Sequence, residues 1–243
     1  TLAMARELLE SERYSEAVRH LGHILDAEQD YFFQPDPQQP FHRSLKAEAV
    51  RLIGKLPEEG QEAYRLQYGT QAKQMLDAAV QSGDPAKIAE VARNYFHTPA
   101  GYEATLLLAS DHLDHGRALA AALCLQRLKE TVRAAAKWEP MLSLQLATCW
   151  LRAGQQDKAQ ETLVALRESI GGADVSVGGE SIKWFDEEED SVAWFSEQLG
   201  PQLQIAAVHM AAWLLFRGNA SRTAVSPGGS PSLKPRRQVP NHD

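Results

Sequence analysis

Two histidine pairs are the first residues whose spacing suggests chemistry. His20-x-x-His23 and His112-x-x-His115 each place two imidazoles on one helix face, and Asp26 or Asp111 stands ready as a third donor. Zinc sites need three or four convergent ligands, so exposed histidines on polar helix faces are the expected outcome and no metal is assigned. Cys124 and Cys149 lie inside apolar helical patterns, beside Leu123 and Leu125 and beside Trp150. That setting predicts buried, inert thiols rather than a nucleophile or a disulfide. Gly178-Gly179 and Gly228-Gly229 lack the following helix of a phosphate-binding loop, and no nucleophile-elbow pattern occurs. The acidic run Asp186–Asp190 reads as a solvated helix start, where carboxylates complement the helix dipole. No catalytic residue, cofactor or metal is expected in this chain, and it is read as a non-enzyme.

The elements that would position such groups follow from composition and periodicity. Ala and Leu together fill 64 of 243 positions, which favours helix. The formal charge is −7, and without interleaved aromatics the tail cations Arg217, Arg222, Arg236 and Arg237 do not make a nucleic-acid surface. The longest apolar run, Ile205 to Phe216, spans 12 positions against the roughly 20 of a membrane helix, so no membrane span is expected. Two cysteines exclude a disulfide scaffold. The first residues already read as helix and are not Met-initiated, so a fragment or processed product is expected.

Helical segments are predicted over Leu2–Glu10, Ser15–Ala27, Ser44–Leu56, Glu58–Gln81 with a break at Gly69-Thr70, Pro99–Leu113, Arg117–Val132, Glu139–Arg152 and Gln156–Ser169. Ala72, Met75, Leu76, Ala79 and Val80 form one expected buried stripe; Ile88, Val91, Ala92, Tyr95 and Phe96 form another, behind the Gly83-Asp84-Pro85 stop and restart. Prolines 35, 37 and 40 exclude regular structure from the loop between the second and third helices. The pattern Ala17, Leu21, Ile24 recurs as Ala121, Leu125, Leu128 and as Ala159, Leu163, Leu166, the last two offset by 38 residues. Small residues let helices approach and the larger ones fill the core, as in tetratricopeptide-like repeats. The expected fold is all-α: an antiparallel helix-pair, tetratricopeptide-like array over 1–170. A β-hairpin around Val175–Trp184 plus a short helix, Ser191–Leu199, form an appendage over 171–200, and 201–243 is an irregular tail.

The tail segment Trp213-Leu214-Leu215-Phe216-Arg217-Gly218-Asn219, with Arg222 and Val225-Ser226-Pro227-Gly228-Gly229, resembles the opening strand and loop of a PQQ-like β-propeller. Upstream, Asp30–Phe33, Ser44–Ala49, Phe96–Tyr102, Ala121–Leu128, Glu139–Leu144 and Cys149–Gly154 resemble the helical N-terminal region of bacterial PQQ-binding-like β-propeller repeat proteins, a family related to the outer-membrane assembly scaffold. The resemblance implies a scaffolding or protein-interaction module at the cell envelope or periplasm, its partner a protein or the propeller of the same polypeptide. Any quinone site would then lie in propeller sequence beyond this chain, and the alternative implied role is accessory domain of a quinone-dependent oxidoreductase. Tyr31, Phe32, Phe33 and Phe41 either pin the proline loop to the core or open an aromatic groove. Trp184, Phe185, Trp194, Phe195 and Trp213 are expected to pack the appendage on the array, and with Phe216 and Arg217 they are candidates for a partner or interdomain surface.

Overall fold

The computed structural model describes residues 2–199 except 36, 37, 39, 173, 178, 179 and 186–190. The hairpin's Gly178-Gly179 turn, the acidic run, the Gly200-Pro201 break and the tail with Trp213, Phe216 and Arg217 lie outside the described residues. Eleven helices are described: α1 (Leu2–Glu10), α2 (Tyr14–Asp26), α3 (Leu45–Gly54), α4 (Glu58–Ser82), α5 (Pro85–Asn94), α6 (Pro99–Asp114), α7 (Ala118–Lys129), α8 (Val132–Trp138), α9 (Met141–Arg152), α10 (Gln156–Ser169) and α11 (Ser191–Leu199). Two small antiparallel ladders accompany them. Strand β1 (Phe32–Phe33) pairs with β2 (Arg43–Ser44), and β3 (Val175–Val177) pairs with β4 (Glu180–Ile182) in the register Val175 to Ile182. The fold is an all-α array of helix pairs with a small β-hairpin appendage.

One turn generates the pairs. At Glu12, Gly83, Gly116 and Gly154 the backbone enters the left-handed region, with φ of 57°, 61°, 71° and 73°. The N–H of each donates three residues back, and the next N–H donates five residues back, as in Gly154 to Leu151 and Gln155 to Trp150, both 2.9 Å. This cap closes the first helix and reverses the chain within three residues. Five positions past the left-handed residue, the second helix presents Ala17, Ala121 or Ala159, each fully buried. Leu21, Leu125 and Leu163 follow four residues later and Ile24, Leu128 and Leu166 seven later, all in the core.

The α4/α5 pair is a fourth copy that the size pattern conceals. Its three positions carry half-buried Ile88 and buried Ala92 and Tyr95. Small and large are exchanged because the bulk comes from the facing helix, where buried Tyr64 and Tyr68 lie one turn apart with ring centres 5.2 Å apart and planes tilted by 40°. The Tyr64 hydroxyl donates to the Asn94 carbonyl, and Tyr95 donates to Asp26 of α2 while accepting from Gln71. The α4/α5 pair is thereby tied together and locked to α2 of the first pair through tyrosine hydroxyls that have partners.

Several expectations need correction. Helix α4 runs unbroken through Gly69-Thr70. A mid-helix glycine costs only about 1 kcal/mol, and Tyr64, Tyr68, Ala72 and Leu76 bury on both sides of it. Val80 is exposed, not part of the buried stripe. The helix from Arg117 stops at Lys129, and a separate α8 follows with Ala134 buried. The exclusion of regular structure from the proline stretch needs no correction, because the short β1–β2 ladder pairs Phe32–Phe33 with Arg43–Ser44 on either side of it. Elsewhere the caps match: Ser44, Asp84 and Thr98 accept from the N–H groups of Ala47, Ala86 and Gly101.

Close approach leaves no room for a methyl group at three glycines, at Gly54 against the His97 ring at 2.6 Å and more severely at Gly22 and Gly101. A Cβ on Gly22 would meet the Tyr68 hydroxyl at 1.7 Å, and one on Gly101 would meet the Tyr95 carbonyl oxygen at 1.9 Å. A side-chain tip can yield where a backbone carbonyl cannot. Gly101→Ala should therefore cost about 3 kcal/mol or more in urea unfolding, and Gly22→Ala about 1–3 kcal/mol. The reverse order would mean that α2 and α4 are held more rigidly than the turn before α6.

Candidate interaction surface

The helix pairs hold the proline loop at one end of the array, and aromatics there behave unlike those of the core. Asp30, just before the loop, accepts from the Ser44 hydroxyl at 2.6 Å and from the Lys46 N–H at 3.1 Å. Burial pushes this carboxyl up, but those bonds, with one from the Tyr31 N–H, outweigh it and hold the group ionised below its ordinary value. The Tyr31 carbonyl accepts from the Leu45 N–H, and the Lys46 ammonium donates to the Ala27 carbonyl. The loop's two ends are thus tied to the start of α3.

On this frame Tyr31, Phe32 and Phe41 point outward, 60%, 71% and 41% exposed. Phe33 is half-buried beneath the Arg6 guanidinium, and Arg43 lies 5.5 Å over the Phe41 ring. A cavity of about 200 Å³ opens beside Tyr31, lined by Ile24, Ala27, Leu45 and the stems of His23 and Lys46 among others. An aromatic ledge next to a small, largely apolar recess is what this end of the array offers.

The other candidate aromatics sit differently. Trp184 and Phe185 are buried against Leu144, Ala147, Leu163 and Leu166, and Phe195 joins them. Trp194 is half-buried, stacks on Trp184 at 5.2 Å and donates its indole N–H to the Lys183 carbonyl. These residues fasten the appendage and α11 to the last helix pair.

The groups with catalytic or metal-binding potential are committed elsewhere. Asp26, the donor nearest His20 and His23, accepts from Tyr95. Asp111 binds Arg117 at 2.6 Å, with the Nδ1 atoms of His112 and His115 at 3.8 and 3.3 Å from its oxygens. Among the described residues no cluster of three His, Cys, Asp or Glu side chains has the geometry to hold a metal. Burial pushes the Cys149 thiol up to about 12 and raises half-buried Cys124 as well, so both remain protonated near neutrality.

Two titratable groups, buried Glu48 and half-buried His97, were not singled out by sequence reasoning. Glu48, 3% exposed, receives Arg51 from its own helix and Arg6 from α1; the Arg51 hydrogen bonds, opposed by burial and helped by Arg6, take it down to about 2. His97, between α5 and α6, donates Nε2–H to the Val50 carbonyl at 3.0 Å and presses its ring against Gly54. Burial, with the nearby Arg127 charge, lowers it to about 4. Only the apolar neighbours of these residues carried a periodic signal, so neither stood out.

No family model matches this chain, and no curated protein or solved structure matches it. Its class is defined by the fold itself: a helical-repeat-like array bearing an exposed aromatic ledge.

The folded His97 takes its proton at a lower pH than the unfolded chain, whose histidine titrates near 6.5. Stability therefore falls as pH drops from about 6.5 to about 4, by up to about 3 kcal/mol. Glu48 acts below that window, its contribution present above pH 4.5 and lost as pH falls towards 2. Urea unfolding of His97→Gln should show a flatter stability profile between pH 7 and 4.5 than the parent chain. Parallel profiles would place the acid sensitivity elsewhere.

Proposed function

We propose that this chain is a non-enzymatic protein-interaction or scaffolding module and that the ledge of Tyr31, Phe32 and Phe41 is its docking surface. The observation that carries the reading is the contrast in burial. Tyr64, Tyr95, Phe96, Trp150, Trp184 and Phe185 are all buried, whereas these three rings stand in solvent on a loop tied down at both ends. Exposed aromatics grouped on a rigid support have the character of binding hot spots, where large rings gain contact area at little loss of conformational freedom. Stacked helix pairs also provide the extended surfaces that repeat proteins use for partners.

The sequence resemblance to PQQ-binding-like β-propeller proteins suggests which partner to try first: a propeller of the same polypeptide, in the cell envelope. Photo-crosslinking tests the surface directly. A benzophenone amino acid at position 32 should cross-link to a propeller or other partner supplied in trans. The Tyr31→Ala/Phe41→Ala background should lower the yield at least tenfold while leaving the melting temperature within about 2 °C, since exposed side chains contribute little to folding. Equal cross-linking from a probe at exposed Leu66, on α4, would sink the reading.

A further inference from the structure

A second feature lies away from the ledge, where α7 meets the turn between α5 and α6. Arg127 is half-buried, and its guanidinium lies 3.6 Å from the centre of the Phe96 ring. Among the described residues no carboxylate is within ion-pair distance of it and no group accepts a hydrogen bond from it. Every other arginine and lysine of α7 and α8 has a partner: Lys129 donates to Ser143, Arg133 pairs with Glu58, and Lys137 lies over Trp138. Arg127 is bound through one face only. A guanidinium carries five N–H donors around its edge, and the ring beneath satisfies none of them.

The platform is rigid. Phe96 is buried and makes edge contacts with His97 at 5.0 Å and Tyr102 at 5.4 Å, and Tyr102 continues to Trp138 at 6.3 Å. His97 is hydrogen-bonded to Val50 and neutral at ordinary pH, so it adds no competing cation. Partial burial removes water from Arg127 and draws its pKa down from the usual value. Such a group is stabilised when an anion arrives, and pairing there is stronger than at a fully exposed site. The setting favours an anion: residues 127–137 hold four basic residues and one acidic, and the stretch stays cationic on a chain of −7 even with Arg133 paired to Glu58. Charge complementarity and the fork geometry of the guanidinium select a carboxylate in two-point contact.

We propose that Arg127, stacked on Phe96, is the receptor for a carboxylate side chain of an acidic segment on a partner protein. The surface is separate from the Tyr31–Phe41 ledge and does not depend on it.

The test uses the full 243-residue chain and fluorescein-labelled hexaglutamate, followed by anisotropy at low salt. Binding should weaken at least tenfold in Arg127→Gln and a few-fold in Arg127→Lys, which keeps the charge but loses the fork. It should change less than twofold in Arg133→Gln, whose side chain is already paired with Glu58, and stay intact in Tyr31→Ala/Phe32→Ala. If Arg127→Gln unfolds, the Arg127→Lys result decides. No binding of hexaglutamate, or equal losses in the Arg127 and Arg133 variants, overturns the proposal. So does displacement by millimolar inorganic phosphate at constant ionic strength, because the anion would then be a phosphate and not a protein carboxylate. A ledge variant that fails to cross-link yet binds hexaglutamate separates the failure of the docking surface from the failure of this site.

Discussion

The left-handed turn at residues 12, 83, 116 and 154 is the constraint on which the array depends. It reverses the chain in so few residues that the two helices must run side by side from their first turn. That geometry fixes which residue faces the partner helix: the one five positions later. Three of the four copies meet the demand with alanine, and the fourth meets it by moving bulk to the opposite helix as Tyr64 and Tyr68. Glycine serves at three of the four turns because a side chain there meets backbone strain; Glu12 accepts that strain in the first pair. What holds one pair to the next reaches further along the chain. Between pairs an apolar core shared by α2, α3, α4, α5 and α6 is supplemented by polar links long-range in sequence, such as Tyr95 to Asp26 and Arg6 to Glu48.

This division explains what could be read in advance. Within a pair, cap and core lie within about 12 residues of each other, so the signals at Ser44, Asp84, Thr98 and the Ala-Leu-Leu pattern were visible in the linear sequence. The boundaries of α10 and α11 and the presence of the β3–β4 hairpin came from the same local logic. The α4/α5 copy was not legible as a repeat, because its volume complement sits on another helix. The continuity of α4 across Gly69 was hidden for a related reason: tertiary burial of its neighbours overrides a local preference. Helix α8 had no punctuation of its own, since Glu130-Thr131 carries neither glycine nor proline to announce a new start.

The aromatic candidates divided along the same line. The sequence left Tyr31–Phe33 and Phe41 between pinning their loop and opening a groove, and expected Trp184 and Trp194 to pack the appendage on the array. Whether such a ring packs or projects depends on what stands opposite it in space. Trp184 and Phe185 find Leu163 and Leu166 on α10 and are buried. Tyr31, Phe32 and Phe41 stay exposed, while the backbone beside them is held by the hydrogen bonds of Asp30, Ser44 and Lys46. Polar anchoring of the backbone does the work that ring burial would have done, and the rings are left over.

Arg127 shows the converse case, a charge placed where a hydrophobic residue would have sufficed for folding. Its position, one before core residue Leu128, puts it at the margin of the α6–α7 interface, and a leucine or methionine there would cover Phe96 with no desolvated charge. Replacing a partly buried ion by an apolar side chain of similar volume is commonly neutral or stabilising. The cation–π contact with Phe96 engages only one face of the guanidinium, and neighbouring cations with contacts of their own show that partners were within reach of this stretch. An unpaired guanidinium held flat on a buried ring is suited to external pairing, and the rigid support beneath it lowers the conformational cost of making that pair.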